Sequence, residues 1–163
     1  MGLITLGLSQ IKVGEAAPNG VMPTTLNKIG KVYKDTCKIN QDATDVTEHF
    51  EEGMAAPEIR KKTRKIPKVA FSLMDSSPEM LAAYVGGAVV GDKWVFDGNE
   101  LVANKALLIE TEMGLDFEIP NGDIEATINS DMSAKGIFLV DFIVTPLAVE
   151  SGKALRAVPK ETA

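Results

Sequence analysis

Apolar and polar residues alternate with a period of two along most of the chain, the pattern of half-buried strands. Residues 28–39 (KIGKVYKDTCKI) set Tyr33, Cys37 and Ile39 on one face and Lys28, Lys34, Thr36 and Lys38 on the other. Residues 44–52 (TDVTEHFEE) alternate again, with Val46 and Phe50 on the face of Glu48. Residues 65–74 supply Val69, Phe71 and Leu73 in phase, and further runs lie at 93–96, 106–113, 123–129 and 136–145. The last of these, GIFLVDFIVT, is apolar on both faces around Asp141, which predicts a central strand. Turn chemistry separates the runs at Asn19-Gly20, Asp97-Gly98-Asn99 and Asn121-Gly122-Asp123. About seven to nine strands at short spacing predict a mainly β protein, an antiparallel β-sandwich or barrel.

One segment, residues 75–87, breaks the alternation. It offers Asp75, Ser76 and Ser77 as caps, Pro78 in the first turn and Gly86-Gly87 as the stop, which predicts a short helix over about 77–85. Met80, Leu81, Tyr84 and Val85 form a single apolar stripe, so the helix must flank the sheet or close one end of it. The expected organisation is one domain over 1–163. Residues 1–27 are read as a looser segment, with proline and glycine gathered at 16–25, and 153–163 as a polar tail.

Composition narrows the function classes. With 163 residues, 45% hydrophobic and 25% charged, the chain is long enough for one sizeable core. Lysine and arginine number 17 against 23 aspartates and glutamates, a net charge of −6, which disfavours a sequence-reading nucleic-acid binder. A single cysteine, Cys37, allows no internal disulfide, and a single histidine, His49, allows no multi-histidine metal site. The start carries no early cationic stretch, and the most apolar run, 82–90, is too short for a membrane-spanning helix. The expectation is residence in a reducing cytosol without a membrane.

Candidate chemistry is thin. His49 sits beside Glu48 and Glu51, and a Cys37–His49 or Ser-His-Asp arrangement is formally open, yet an isolated histidine on an acidic strand reads as solvent-facing. Asp116, Glu118, Asn121 and Asp123 crowd one stretch, but Pro120 stands where a calcium loop needs an oxygen ligand, so they read as solvated acids on a hairpin turn. Trp94 is expected in the core or under the helix. No catalytic, cofactor or metal residue is assigned, and an enzyme is not expected. Arg60, Lys61, Lys62, Arg64, Lys65 and Lys68 form the strongest local charge feature, preceded by Asp42, Asp45, Glu48, Glu51, Glu52 and Glu58. Three readings stand for this stretch: a solvated hairpin with opposite charges paired across it, a ribbon that pairs between subunits, or a nucleic-acid patch. Met54, Ala55 and Ala56 at its tip are apolar where a lone monomer would carry polar turn residues, which favours the ribbon. A monomeric β-sandwich binding module is the alternative of another class. Such modules present aromatic platforms, and only 6% of this chain is aromatic.

The order of these segments resembles the major tail tube proteins of long-tailed bacteriophages. An extended segment (31–39) and TDVTEHFEEG lead into a basic strand, then VAFSLM (69–74), the helical segment 75–87 and a closing strand FLVDFIVTPL. The matching positions are Phe71-Ser72-Leu73, Asp75, Pro78, Leu81 and Gly86-Gly87. The order extends over 28–147, and the residue-level likeness is confined to 69–87. The resemblance implies a β-barrel or sandwich flanked by a helix, whose subunits form hexameric rings that stack into a hollow tail tube for double-stranded DNA. It implies tape-measure and tail terminator proteins as partners, and the virion tail, assembled in the host cytoplasm, as location. By the same analogy the ribbon is the ring-stacking element, with Glu51, Glu52, Met54, Ala55, Ala56, Pro57, Arg60, Lys61 and Lys62 as its residues. Glu110, Glu112, Glu125 and Asp131 are the candidate lumen acids, whose charge would let DNA slide without sticking. The inner tube of a type VI secretion or contractile injection system is a related alternative.

Overall fold

The computed structural model describes residues 2–160. Its elements in chain order are β1 (Leu6–Glu15), β2 (Asn27–Lys28), β3 (Lys38–Asn40), β4 (Asp45–His49), β5 (Ile59–Thr63), β6 (Lys68–Leu73), α1 (Pro78–Tyr84), β7 (Ala88–Val90), β8 (Lys93–Val95), β9 (Asn104–Met113), β10 (Leu115–Ser130), β11 (Phe138–Pro146) and β12 (Arg156–Pro159). The protein is mainly β, with one short helix among the described residues, as the sequence pattern predicts. The strands number twelve among the described residues rather than seven to nine. The excess comes from β1 and β12, which lie in segments read as loose ends, from the three-residue β7, and from the break of the run at 28–39 into β2 and β3.

One antiparallel sheet holds eight strands in the order β2-β1-β9-β10-β11-β6-β3, with β12 also on β10. Phe117 and Glu118 of β10 pair with both β9 and β12, and Gly122 and Asp123 with both β9 and β11, so β11 and β12 share the other edge of β10. The core is built by the inward residues of every central strand. Ile11, Leu107, Ile109, Ile119, Ile124, Val140, Phe142, Val144, Val69, Phe71 and Leu73 are all buried in one cluster. Phe71 and Phe142 stand directly opposite on β6 and β11, with their rings stacked at 5.1 Å. The central position of β11 is as expected. Asp141 on its outer face accepts hydrogen bonds from the Ser72 hydroxyl and the Asn129 amide, so its charge is not left bare.

The helix forms where its caps require. Ser77 is the N-cap and its Oγ accepts the Met80 N–H at 3.2 Å, while Pro78 fills the first turn. Gly86, at φ 111, takes the left-handed turn that ends it, and its N–H donates to the Leu81 carbonyl at 3.0 Å. Met80, Leu81, Tyr84 and Val85 pack against the core, with the Tyr84 ring edge-on to Phe142 at 5.4 Å. Trp94 lies against the end of the helix, half-buried, donating its indole N–H to the Gly86 carbonyl at 2.7 Å.

The fold departs from the sequence pattern in four places. Residues 6–15 are not loose: they form β1, paired along β9, with Ile11 fully buried. A register shift between Leu8 and Gln10 moves the apolar phase from even to odd positions, which hides the strand from a fixed-period reading. The continuous strand expected over 28–39 is broken into β2, a single bridge at Val32, and β3. A turn closes between Tyr33 and Thr36, where Asp35 adopts φ 64, a conformation aspartate tolerates. The turn expected at Asn121-Gly122-Asp123 is instead a bulge inside the sixteen-residue β10. Pro120 lacks an N–H to pair there, its carbonyl accepts the Ala17 N–H, and the Asn121 carbonyl accepts that of Leu147. Gly122 serves close approach rather than turning, since a Cβ on it would meet Val144 Cγ1 at 2.7 Å. The polar tail also belongs to the sheet in part: Leu155 packs on the core and Arg156–Pro159 form β12. Residues 161–163 of that tail lie outside the described residues.

Candidate assembly surfaces

The stretch of opposing charges folds as the hairpin that its pattern predicts. Among the described residues β4 and β5 pair only with each other, with Glu48 opposite Arg60 and Val46 opposite Lys62. Arg60 Nε meets Glu48 Oε1 at 3.3 Å and Lys65 Nζ meets Asp45 Oδ1 at 3.4 Å. Every residue from 40 to 66 is exposed, and among the described residues neither strand packs on any other element. This ribbon has two faces of different chemistry. Val46, Glu48, Arg60 and Lys62 share one face, while Thr47, His49, Ile59 and Lys61 share the other. Its loop turns at Gly53, φ 81, and closes with the Glu58 N–H on the His49 carbonyl at 2.7 Å.

Of the residues assigned to stacking, Glu51, Glu52, Met54, Ala55, Ala56 and Pro57 occupy that loop, and Arg60, Lys61 and Lys62 lie on β5. Phe50, Met54 and Ile59 expose 54%, 58% and 60% of their surface, so the loop end carries an apolar cluster in water. Among the described residues Glu51, Glu52, Lys61, Lys62 and Arg64 have no ion-pair partner.

The four acids assigned to a lumen are not brought together. Glu110 lies on the outer face of β9, where its carboxylate accepts the Gln10 amide at 2.8 Å and pairs with Lys12 at 3.0 Å. Those contacts, Gln10 first, hold it below the usual carboxylate range against the opposing effect of burial. Glu112 is exposed near the turn into β10, beside Gly7. Glu125 stands opposite Ile143 beyond the end of β9, roughly 30 Å along β10 from that turn. Asp131 lies past the end of β10, held below its usual range by the Ser133 N–H at 3.0 Å. Two acids therefore sit at each end of the sheet, because the bulge lets β10 run on where a turn is expected.

Two of the acids weighed for a metal are engaged with the protein. Asp116 accepts the Thr111 N–H at 2.9 Å, and Glu118 pairs with Arg156 at 3.2 Å. His49 stands on the exposed ribbon opposite Ile59. Cys37 lines a cavity of about 600 Å³ with Leu8, Tyr33, Ile39, Ile109 and Phe117, and burial pushes its thiol up to about 11. A thiol so raised is a poor nucleophile at neutral pH.

A second exposed module is marked in the sequence by the run at 93–96 and the turn at 97–99. β7 and β8 form a small hairpin turning at Gly91, φ 62, and the chain from 88 to 102 is exposed at every residue except the half-buried Trp94. Val90, Phe96 and Val102 expose 63%, 63% and 79% of their surface. Asp92, Asp97 and Glu100 accompany them, against the single base Lys93. The apolar run 82–90 continues into β7, and that run was a further signal.

The fold defines a mainly β protein with a large antiparallel sheet, a flanking helix and two projecting hairpins. No protein-family model matches the chain, and a comparison with curated proteins likewise finds no match.

Proposed function

We propose that this chain is a structural subunit that assembles into rings, hexameric by the tail-tube resemblance, which stack into a hollow tube. The β4–β5 ribbon carries the reading. An isolated two-stranded hairpin is marginal in water, and this one leaves Val46, Phe50, Met54 and Ile59 exposed without packing on its own sheet. Large apolar side chains gathered on a projecting arm mark a surface built for a partner. A second copy of the chain supplies that partner repeatedly, and a heterologous contact that closes by rotation gives a ring. The net charge of −6 suits a tube that passes double-stranded DNA without binding it, since carboxylates repel phosphates. Tape-measure and terminator proteins would then set its length and end it.

Negative-stain electron microscopy and light scattering on the purified chain, over a wide concentration range, test the reading. Rings or stacked hollow tubes are expected. A monodisperse monomer at every concentration refutes it.

A further inference from the structure

We propose that the β4–β5 ribbon of one copy docks on the β7–β8 module of the next, basic strand against acidic patch. The inference rests on the assembly reading above and names the surface that receives the arm. Both partners are visible in one chain, and their chemistries are opposite. Residues 59–65 hold Arg60, Lys61, Lys62, Arg64 and Lys65 with no acid among them, and Lys61, Lys62 and Arg64 have no ion-pair partner among the described residues. Residues 88–102 hold Asp92, Asp97 and Glu100 against Lys93, and none of these four forms an ion pair among the described residues.

The apolar content matches as well. Val46 and Phe50 stand exposed on the ribbon, and Val90, Phe96 and Val102 on the module. Joining them removes both sets from water, and the charges around them fix orientation. Within one chain the two surfaces do not meet, since among the described residues the ribbon packs on no other element. The contact is thus between copies and head-to-tail, leaving each subunit one free arm and one free patch, as a growing ring or tube requires. Trp94 and Gly86 anchor the receiving hairpin to the helix, so the patch is a firm seat for a projecting arm.

Charge reversal tests the pairing in the full-length chain. One variant carries Lys61→Glu and Lys62→Glu, and a second carries Asp97→Lys and Glu100→Lys. All four positions are exposed, so both variants are expected to keep the circular dichroism and unfolding midpoint of the parent. Each alone is expected to lose assembly, read by sedimentation and microscopy. Mixing the two, or combining all four changes in one chain, is expected to restore it, which no folding defect would do. Tubes from the parent together with undiminished assembly of the Asp97/Glu100 variant overturn the docking site and leave the assembly reading standing. Loss in both single variants without rescue in the mixture also overturns the site. A parent that never assembles overturns both.

Discussion

The large sheet and the ribbon share one sequence pattern and differ in what covers it. In β6 and β11 the alternate residues Val69, Phe71, Leu73, Val140, Phe142 and Val144 are buried to 2% exposure or less. In β4 and β5 the alternate residues Val46 and Ile59 remain 41% and 60% exposed. Burying a large apolar side chain contributes about 1.5–3 kcal/mol, so the sheet gains stability at each such position and the ribbon gains little. Period-two alternation therefore specifies a strand and a face, and says nothing about which molecule covers that face. Substitutions on the two regions should separate folding from assembly.

The largest expected effect lies at the centre of the sheet. Phe142→Ala removes the ring stacked on Phe71 and met by the edge of Tyr84, and leaves a cavity between β6, β11 and α1. A loss of about 3–5 kcal/mol is expected, measured by urea unfolding followed by circular dichroism. A loss below about 1 kcal/mol would contradict the packing described. Ile11→Ala asks the same of β1, and about 2–5 kcal/mol should go because Ile11 is fully buried opposite Ile109. If residues 1–27 were loose, the change would be silent.

What could be read from the chain follows from the same contrast. The helix and the strands β6, β9 and β11 were legible because local signals and tertiary packing agree there. Ser77, Pro78 and Gly86 cap the helix as their chemistry dictates, and Val69, Phe71 and Leu73 keep one phase. β1 was hidden by its bulge, and the course of β10 by Pro120-Asn121-Gly122, which imitates a turn. Such irregularities are fixed by neighbouring strands, whose positions no local window contains. The ribbon's pairing was legible from its opposed runs of acid and base, and Glu48 and Arg60 do lie directly opposite one another. The grouping of the four acids was not, since it depended on where β10 turned. The strand at 93–96 was legible but the exposure of 88–102 was not, because a short apolar run reads equally as core until its exposure is known.

A smaller effect is expected from acid. The folded carboxyl of Glu110 is held down by Gln10 and then by Lys12, so the unfolded chain binds its proton more readily. Its contribution is therefore fully present above the unfolded value, about 4.3, and is lost as the pH falls through the lower folded value. Glu110→Gln should flatten the fall of unfolding free energy below about pH 4.5 and leave its slope near pH 7 unchanged. An identical acid limb in the variant would show that the Gln10 and Lys12 contacts do not persist in solution.

The smallest effect on the monomer is expected on the ribbon, where the comparison with the sheet is sharpest. Phe50→Ser with Ile59→Ser removes two exposed apolar side chains that touch no core, so unfolding free energy should move by no more than about 0.5 kcal/mol. Glu48→Lys breaks the exposed pair with Arg60, and pairs of that kind contribute about 0–1 kcal/mol. The same changes, with Glu51→Lys or Glu52→Lys beside them, should weaken or abolish rings and tubes under the microscope. Together these outcomes would assign the ribbon's apolar and charged residues to a surface between subunits. A monomer markedly destabilised by Phe50→Ser and Ile59→Ser would instead mean that the ribbon folds back on its own sheet in solution. Intact tubes from a folded variant would move the stacking contact elsewhere on the molecule.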